Sequence, residues 1–254
     1  MTQPNLRELK QTWEELGRQD PLWAVVSHPD KRGGRWDLAE FMETGEKAIA
    51  YYHHLLATHA HCQGTFSHVL DFGCGVGRLT RAWGPKSRKV TGVDISATML
   101  EMAKKNLAHH QNIEFVLNQR EDLRLFAGET FDLVFSLICL QHMPWPLAAR
   151  YLGEFARVCQ PDGLVAFQLP SRAPRSHWKA RLRKTIVDGL PFGAGRFYRR
   201  WRHGSAAAFD TYYTARHLVE ERAAAAGLRL VHCEPDLSAG PGTEGFFYIF
   251  RKPE

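Results

Sequence analysis

The segment Val69-Leu70-Asp71-Phe72-Gly73-Cys74-Gly75-Val76-Gly77-Arg78-Leu79-Thr80 constrains the fold of this chain more than any other. An apolar run closes on an acid, glycines alternate with other residues, and a helix-like pattern follows. That order predicts a strand, a tight turn and a helix start. Glycine lacks a Cβ, so a bound molecule can lie against bare backbone at such a turn. A second apolar run, Val90-Thr91-Gly92-Val93-Asp94, also ends in an acid. A carboxylate about 20 residues past a glycine turn is placed to accept both hydroxyls of a ribose.

The spacing separates two kinds of cofactor. A dinucleotide turn reads G-x-G-x-x-G and receives a pyrophosphate. Here the order is Gly73-x-Gly75-x-Gly77 behind Asp71. A carboxylate beside the turn repels a pyrophosphate and attracts an ammonium. The combination resembles the first motif of the class I S-adenosylmethionine-dependent methyltransferases and counts against a nicotinamide enzyme. The resemblance implies Asp71 near the methionine moiety and Gly73, Cys74 and Gly75 beneath the cofactor. It places Asp94, followed by Ile95, at the ribose.

Residues 68–170 fit the same family. Within Val116-Leu117-Asn118-Gln119-Arg120-Glu121-Asp122-Leu123, the family's adenine-binding acid aligns with Gln119, a departure. A Gln oxygen accepts the same hydrogen bond, and the Arg120 backbone N–H would follow it; Glu121 and Asp122 are alternatives. Phe131 to Met143 resembles the fourth-strand motif, which implies that the Leu137 carbonyl accepts from the cofactor ammonium. His142, just past that strand, is the candidate general base. Arg78 is a candidate for the cofactor carboxylate, Met99 for adenine and Trp36 for the pocket. The (Asn/Asp)-Pro-Pro-(Tyr/Phe) run of enzymes that methylate DNA bases is absent.

Periodicity predicts strands near 68–72, 89–93, 113–117, 131–136, 163–169, 228–234 and 245–251. Helices are predicted near 5–17, 37–59, 76–84, 96–109, 146–158 and 214–226, with Ser96 and Thr214 as N-caps and Gly227 at C′. Alternating strands and helices predict an α/β fold, a mostly parallel seven-stranded sheet with helices on both faces. That the last strand runs antiparallel is implied by the resemblance. Residues 1–60 form an N-terminal helical extension, which in the family folds as a lid over the cofactor. Its Trp23 and His28 are candidate substrate contacts. Residues 61–254 form the methyltransferase domain, with 171–210 inserted after the fifth strand.

Composition narrows the function classes. Apolar residues make up 44% of the chain, and no apolar run approaches a membrane span. The N-terminus lacks a signal-peptide pattern, so a cytoplasmic location is expected. Five cysteines without a C-x-x-C pair predict reduced thiols, and no metal is expected. The net charge of +6 is uneven: residues 172–203 hold ten Lys or Arg against Asp188, which is +9 and leaves 6 − 9 = −3 elsewhere. That basic segment reads as a substrate lid for a carboxylate or phosphate, a membrane-surface contact, or a solvated face. His177 within it and Tyr212 and Tyr213 after it are further substrate candidates. No nucleic-acid module is recognised.

The expected function is methyl transfer from S-adenosylmethionine to an oxygen or nitrogen of a small, anionic metabolite or natural product, leaving S-adenosylhomocysteine. A sulfonium is already a good leaving group, so alignment and water exclusion are the main tasks. A base is needed for a hydroxyl acceptor. RNA or protein methylation docked through the basic segment is the alternative, as is a non-catalytic S-adenosylmethionine-binding protein. The sequence leaves the acceptor and the oligomeric state open.

Overall fold

The computed structural model describes residues 5–62, 64–173, 210–240 and 242–254. The helices are α1 (Leu6–Gln19), α2 (Pro21–Val25), α3 (Leu38–His59), α4 (Arg78–Trp83), α5 (Ala97–Asn106), α6 (Trp145–Val158) and α7 (Arg216–Ala225). The strands are β1 (Phe66–Phe72), β2 (Ser87–Asp94), β3 (Ile113–Leu117), β4 (Phe131–Ser136), β5 (Cys159–Arg172), β6 (Arg229–Asp236) and β7 (Glu244–Arg251). They form one sheet in the order β3-β2-β1-β4-β5-β7-β6. All pairings are parallel except those of β7, which runs antiparallel to both β5 and β6.

Strand alternation sends successive residues to opposite faces. Val69, Leu133, Phe135, Leu164 and Ala166 pack with Ile49 and Leu56 of α3 and Leu79 and Trp83 of α4. Their neighbours Leu70, Val134, Val165 and Phe167 pack with Leu152 and Phe155 of α6 and Val219 of α7. Helices therefore cover both faces, as the alternating pattern predicts. Burying each large side chain contributes about 1.5–3 kcal/mol. A third cluster joins Leu16, Ala24, Phe41 and Met42 of the N-terminal helices to Val76 and Met99. It anchors the extension beside the glycine turn.

Ser96 caps α5, accepting from the Met99 N–H at 3.2 Å. Gly227 follows α7 with φ +83. Thr214 is a correction: α7 starts after Ala215 without a side-chain cap, and Thr214 instead donates its backbone N–H to Pro170 at 2.9 Å. β5 begins earlier than predicted, at Cys159: Asp162 donates its N–H to the Lys252 carbonyl at 2.9 Å and Gly163 accepts from the Lys252 N–H at 3.0 Å, just past β7. Between the two N-terminal helices lies a short one, α2, opened by Pro21. Most of the inserted segment, with His177 and most of the basic segment 172–203, lies outside the described residues. Among the described residues no helix is long and apolar enough to cross a membrane.

Candidate active site

The glycine turn is held by backbone. Gly73, Gly75 and Gly77 have φ values of +79, +54 and +88, a region that disfavours other residues. The Gly73 and Cys74 N–H groups donate to the Val93 carbonyl at 2.8 and 3.0 Å. The Gly75 N–H donates to one oxygen of Asp94 at 2.8 Å, and the Ser96 N–H to the other at 2.9 Å. Burial raises the Asp94 pKa while these donors oppose the rise. The carboxylate is thus braced at the sheet's carboxyl edge, with lone pairs left over.

One cleft gathers Gly73, Cys74, Gly75, Arg78, Asp94, Ile95, Met99, Leu137 and His142 on its walls. Its backbone on the far side is strained: Ile138, β-branched, sits at φ +56. That angle turns the Leu137–Ile138 peptide, whose carbonyl belongs to Leu137.

Arg78 is buried, and its Nε has no hydrogen-bond partner among the described residues. One terminal nitrogen reaches the Thr44 hydroxyl at 3.4 Å. α3 comes this close to Arg78 because Gly45 carries no Cβ; one there would lie 2.4 Å from the Arg78 carbonyl oxygen. Burial lowers the Arg78 pKa to about 10, which still leaves a cation at neutral pH. A buried cation with an unused donor suits a carboxylate ligand. Asp71 does not line the cleft. It is buried behind the turn, accepts the Thr80 hydroxyl at 2.6 Å, and is pushed up to about 6 by burial.

His142 is buried in the turn Leu140–His142 after β4. Its Nδ1 lies 2.9 Å from the Asp210 carbonyl oxygen, which can only accept, so the proton sits on Nδ1. Nε2 carries the lone pair, 3.3 Å from the Gln141 amide nitrogen. Trp13 of α1 meets the imidazole edge-on at 5.2 Å. Burial lowers its pKa to about 4, against the pull of the Asp210 carbonyl. The ring is neutral at pH 7.

The remaining described candidates lie off the cleft walls. Trp36 packs in the N-terminal cluster and donates to the Val26 carbonyl at 3.1 Å. Trp23 donates to the His28 carbonyl at 3.1 Å, and His28 is exposed. Gln119 and Arg120 are exposed, while Asp122 is half-buried. Tyr212 donates its backbone N–H to Gln141 at 2.7 Å, and Tyr213 is exposed. His177 is outside the described residues.

The cleft also has walls that carried no motif. Asn118 lines it, one residue before Gln119, and its side chain ties the loop together through Asp122 and Arg120. Tyr151 of α6 lines it and donates to the Arg120 carbonyl at 2.5 Å. Leu6, Leu9 and Trp13 of α1 close another side. Their helical spacing was visible, but it is the same spacing that plain core packing produces.

Residues 69–163 match the family described as methyltransferase domain. Those residues carry the methyltransferase domain, within a sheet of the class I methyltransferase fold. Over 147 residues it is 35% identical to the malonyl-[acyl-carrier protein] O-methyltransferase of Pectobacterium atrosepticum, covering 57% of this chain and 52% of that enzyme. Over 144 residues it is 32% identical to the ubiquinone biosynthesis O-methyltransferase of Stutzerimonas stutzeri, covering 56% of this chain and 61% of that one. The chain spans about half the length of the curated relatives it matches. Among solved structures, the magnesium protoporphyrin IX methyltransferase of Synechocystis PCC 6803, with bound S-adenosylhomocysteine, superposes with a TM-score of 0.63. Identity there is 16%, over 98% of this chain and 100% of the other, so the likeness is one of fold.

Proposed function

We propose that this methyltransferase domain binds S-adenosylmethionine in the cleft and transfers its methyl group to an oxygen or nitrogen of a small molecule. The observation that carries this reading is the convergence of the glycine turn, Asp94, Arg78 and His142 on one cleft. The residues present fit the cofactor. Asp94 would take the ribose hydroxyls, and the bare backbone of Gly73 and Gly75 would lie beneath it. The orphaned Nε of Arg78 would meet the amino-acid carboxylate. The Leu137 carbonyl would accept from the ammonium, and Met99 and Ile95 would flank the adenine. When bound, the cofactor supplies an electrophilic methyl on a sulfonium.

This chain's residues do the rest. The apolar walls from Leu6, Leu9, Trp13 and Met143 exclude water. His142, neutral with Nε2 as its lone pair, takes the proton of a hydroxyl acceptor. Two relatives named as O-methyltransferases favour oxygen as the acceptor atom. Recognition of an anionic group falls to the basic segment 172–203, of which Arg172 is described, paired with Glu244 at 3.7 Å.

The test is a panel of phenol, carboxylate and amine acceptors incubated with S-adenosylmethionine, with S-adenosylhomocysteine as the readout. Turnover of a small acceptor is expected, and His142→Gln should slow hydroxyl acceptors by about 100-fold or more while sparing amines. Cofactor binding without turnover of any small acceptor would sink this reading.

A further inference from the structure

β6 is an edge strand, and the C-terminal half of α3 is bonded to it through side chains. Tyr52 donates to Asp236 at 2.6 Å and Tyr51 to Glu234 at 2.5 Å. Beyond them, the His59 ring lies flat on the His232 ring, with centroids 3.5 Å apart and planes within 5°. Potential ligand atoms of His59, His232 and Glu234 all fall within 4.8 Å of one another, and all three residues are half-buried.

Two of the three are almost in place for a metal. His232 and Glu234 are separated by one residue on a strand, so they project from the same face. The His232 Nε2 and a Glu234 oxygen are 3.0 Å apart. Tetrahedral zinc, at about 2.0–2.2 Å from nitrogen or oxygen, holds neighbouring ligands roughly 3.3 Å apart. The pair needs to open by only a few tenths of an ångström. Stacked imidazoles point their lone pairs in parallel planes, so His59 must turn about its Cβ–Cγ bond to join. Tyr51 fixes the carboxylate from outside, the support that metal-bound carboxylates commonly receive.

The donor set selects the ion. Two imidazole nitrogens and one carboxylate oxygen suit zinc, whereas calcium and magnesium favour all-oxygen sets. We propose that His59, His232 and Glu234 form a zinc site, completed by water, that staples the helical extension to the edge strand. His59 comes from a distant part of the sequence, which is why no ligand spacing marks the full set. A bridge between them restrains a long stretch of the unfolded chain.

The test is calorimetric titration of the chelator-stripped full chain with zinc chloride, alongside thermal unfolding with and without zinc. His54, exposed on the same helix, provides the control for surface histidines. One zinc per chain is expected, with a rise in Tm that His232→Ala abolishes. Affinity should fall at least about tenfold in His59→Ala, His232→Ala and Glu234→Gln and stay unchanged in His54→Ala. The nearly isosteric Glu234→Gln decides the matter if the histidine variants do not fold. Absence of saturable binding, or affinity retained in Glu234→Gln, would overturn the proposal.

Discussion

The glycine turn and the N-terminal helices wall the same cleft by different means. The turn is backbone architecture. Its glycines occupy positive φ, and its N–H groups bond to the Val93 carbonyl and, at Gly75, to the Asp94 carboxylate. The helical wall is side-chain architecture. α1 is tied to α5 by Glu14, which accepts from the Ala97 N–H at 2.7 Å and the Thr98 hydroxyl at 2.6 Å. Leu6, Leu9 and Trp13 then present apolar groups to the cleft. A turn of the first kind tolerates almost no substitution, whereas a wall of the second kind should yield by degrees.

The sharpest break of that contrast is Gly73→Ala. A Cβ there would lie 2.2 Å from the Cys139 Sγ, and φ is +79. Strain and overpacking together should cost roughly 2–4 kcal/mol and abolish cofactor binding. Denaturant unfolding with a parallel binding assay checks both.

Next comes His142, where the two walls meet through Trp13. Its folded pKa of about 4 lies below that of an unfolded histidine, so the unfolded chain binds the extra proton. Its contribution to stability is full above about pH 6.5 and is lost as pH falls towards 4, by up to about 3 kcal/mol. Asp71, raised to about 6, acts with the opposite sign, so the comparison must be between wild type and variant. His142→Gln should flatten the wild-type slope between pH 6.5 and 4, measured by urea midpoints. Activity of the wild type should likewise persist below pH 6, where an ordinary histidine would be protonated.

Smaller effects are expected on the helical wall. Trp13→Ala removes half-buried surface and should cost about 1–2 kcal/mol. It should lower turnover more than affinity for S-adenosylhomocysteine, because its task is to exclude water. Glu14→Gln keeps the shape but weakens charged bonds to the α5 N-terminus, for about 1 kcal/mol or less. Thermal unfolding at matched salt reads it.

The same contrast explains what the sequence made legible. The alternation of strands and helices along the chain, the glycine turn, the Ser96 cap and Gly227 are written in local spacing, because each answers a backbone requirement. The adenine side is different. Gln119 aligns with the family's acid yet is exposed, while Asn118 is buried on the cleft wall. Asn118 continues the β2–β3 ladder by donating to the Asp94 carbonyl, so alternation turns its neighbour outward. Register of that kind follows from pairing between strands. Thr214 has a good cap residue's chemistry, but its N–H is bonded to the Pro170 carbonyl and α7 opens one residue later, after Ala215. Trp36 and Trp23 found partners in carbonyls of their own loop. Aromatic residues on an irregular stretch advertise burial without saying against what.

The most direct test of the cofactor site is calorimetric titration with S-adenosylhomocysteine, and separately with NAD, on wild type and Asp94→Ala. Micromolar binding of the first alone, weakened at least about tenfold by the substitution, is the predicted result. Binding of NAD, or S-adenosylhomocysteine binding indifferent to Asp94 in a folded protein, would contradict the account.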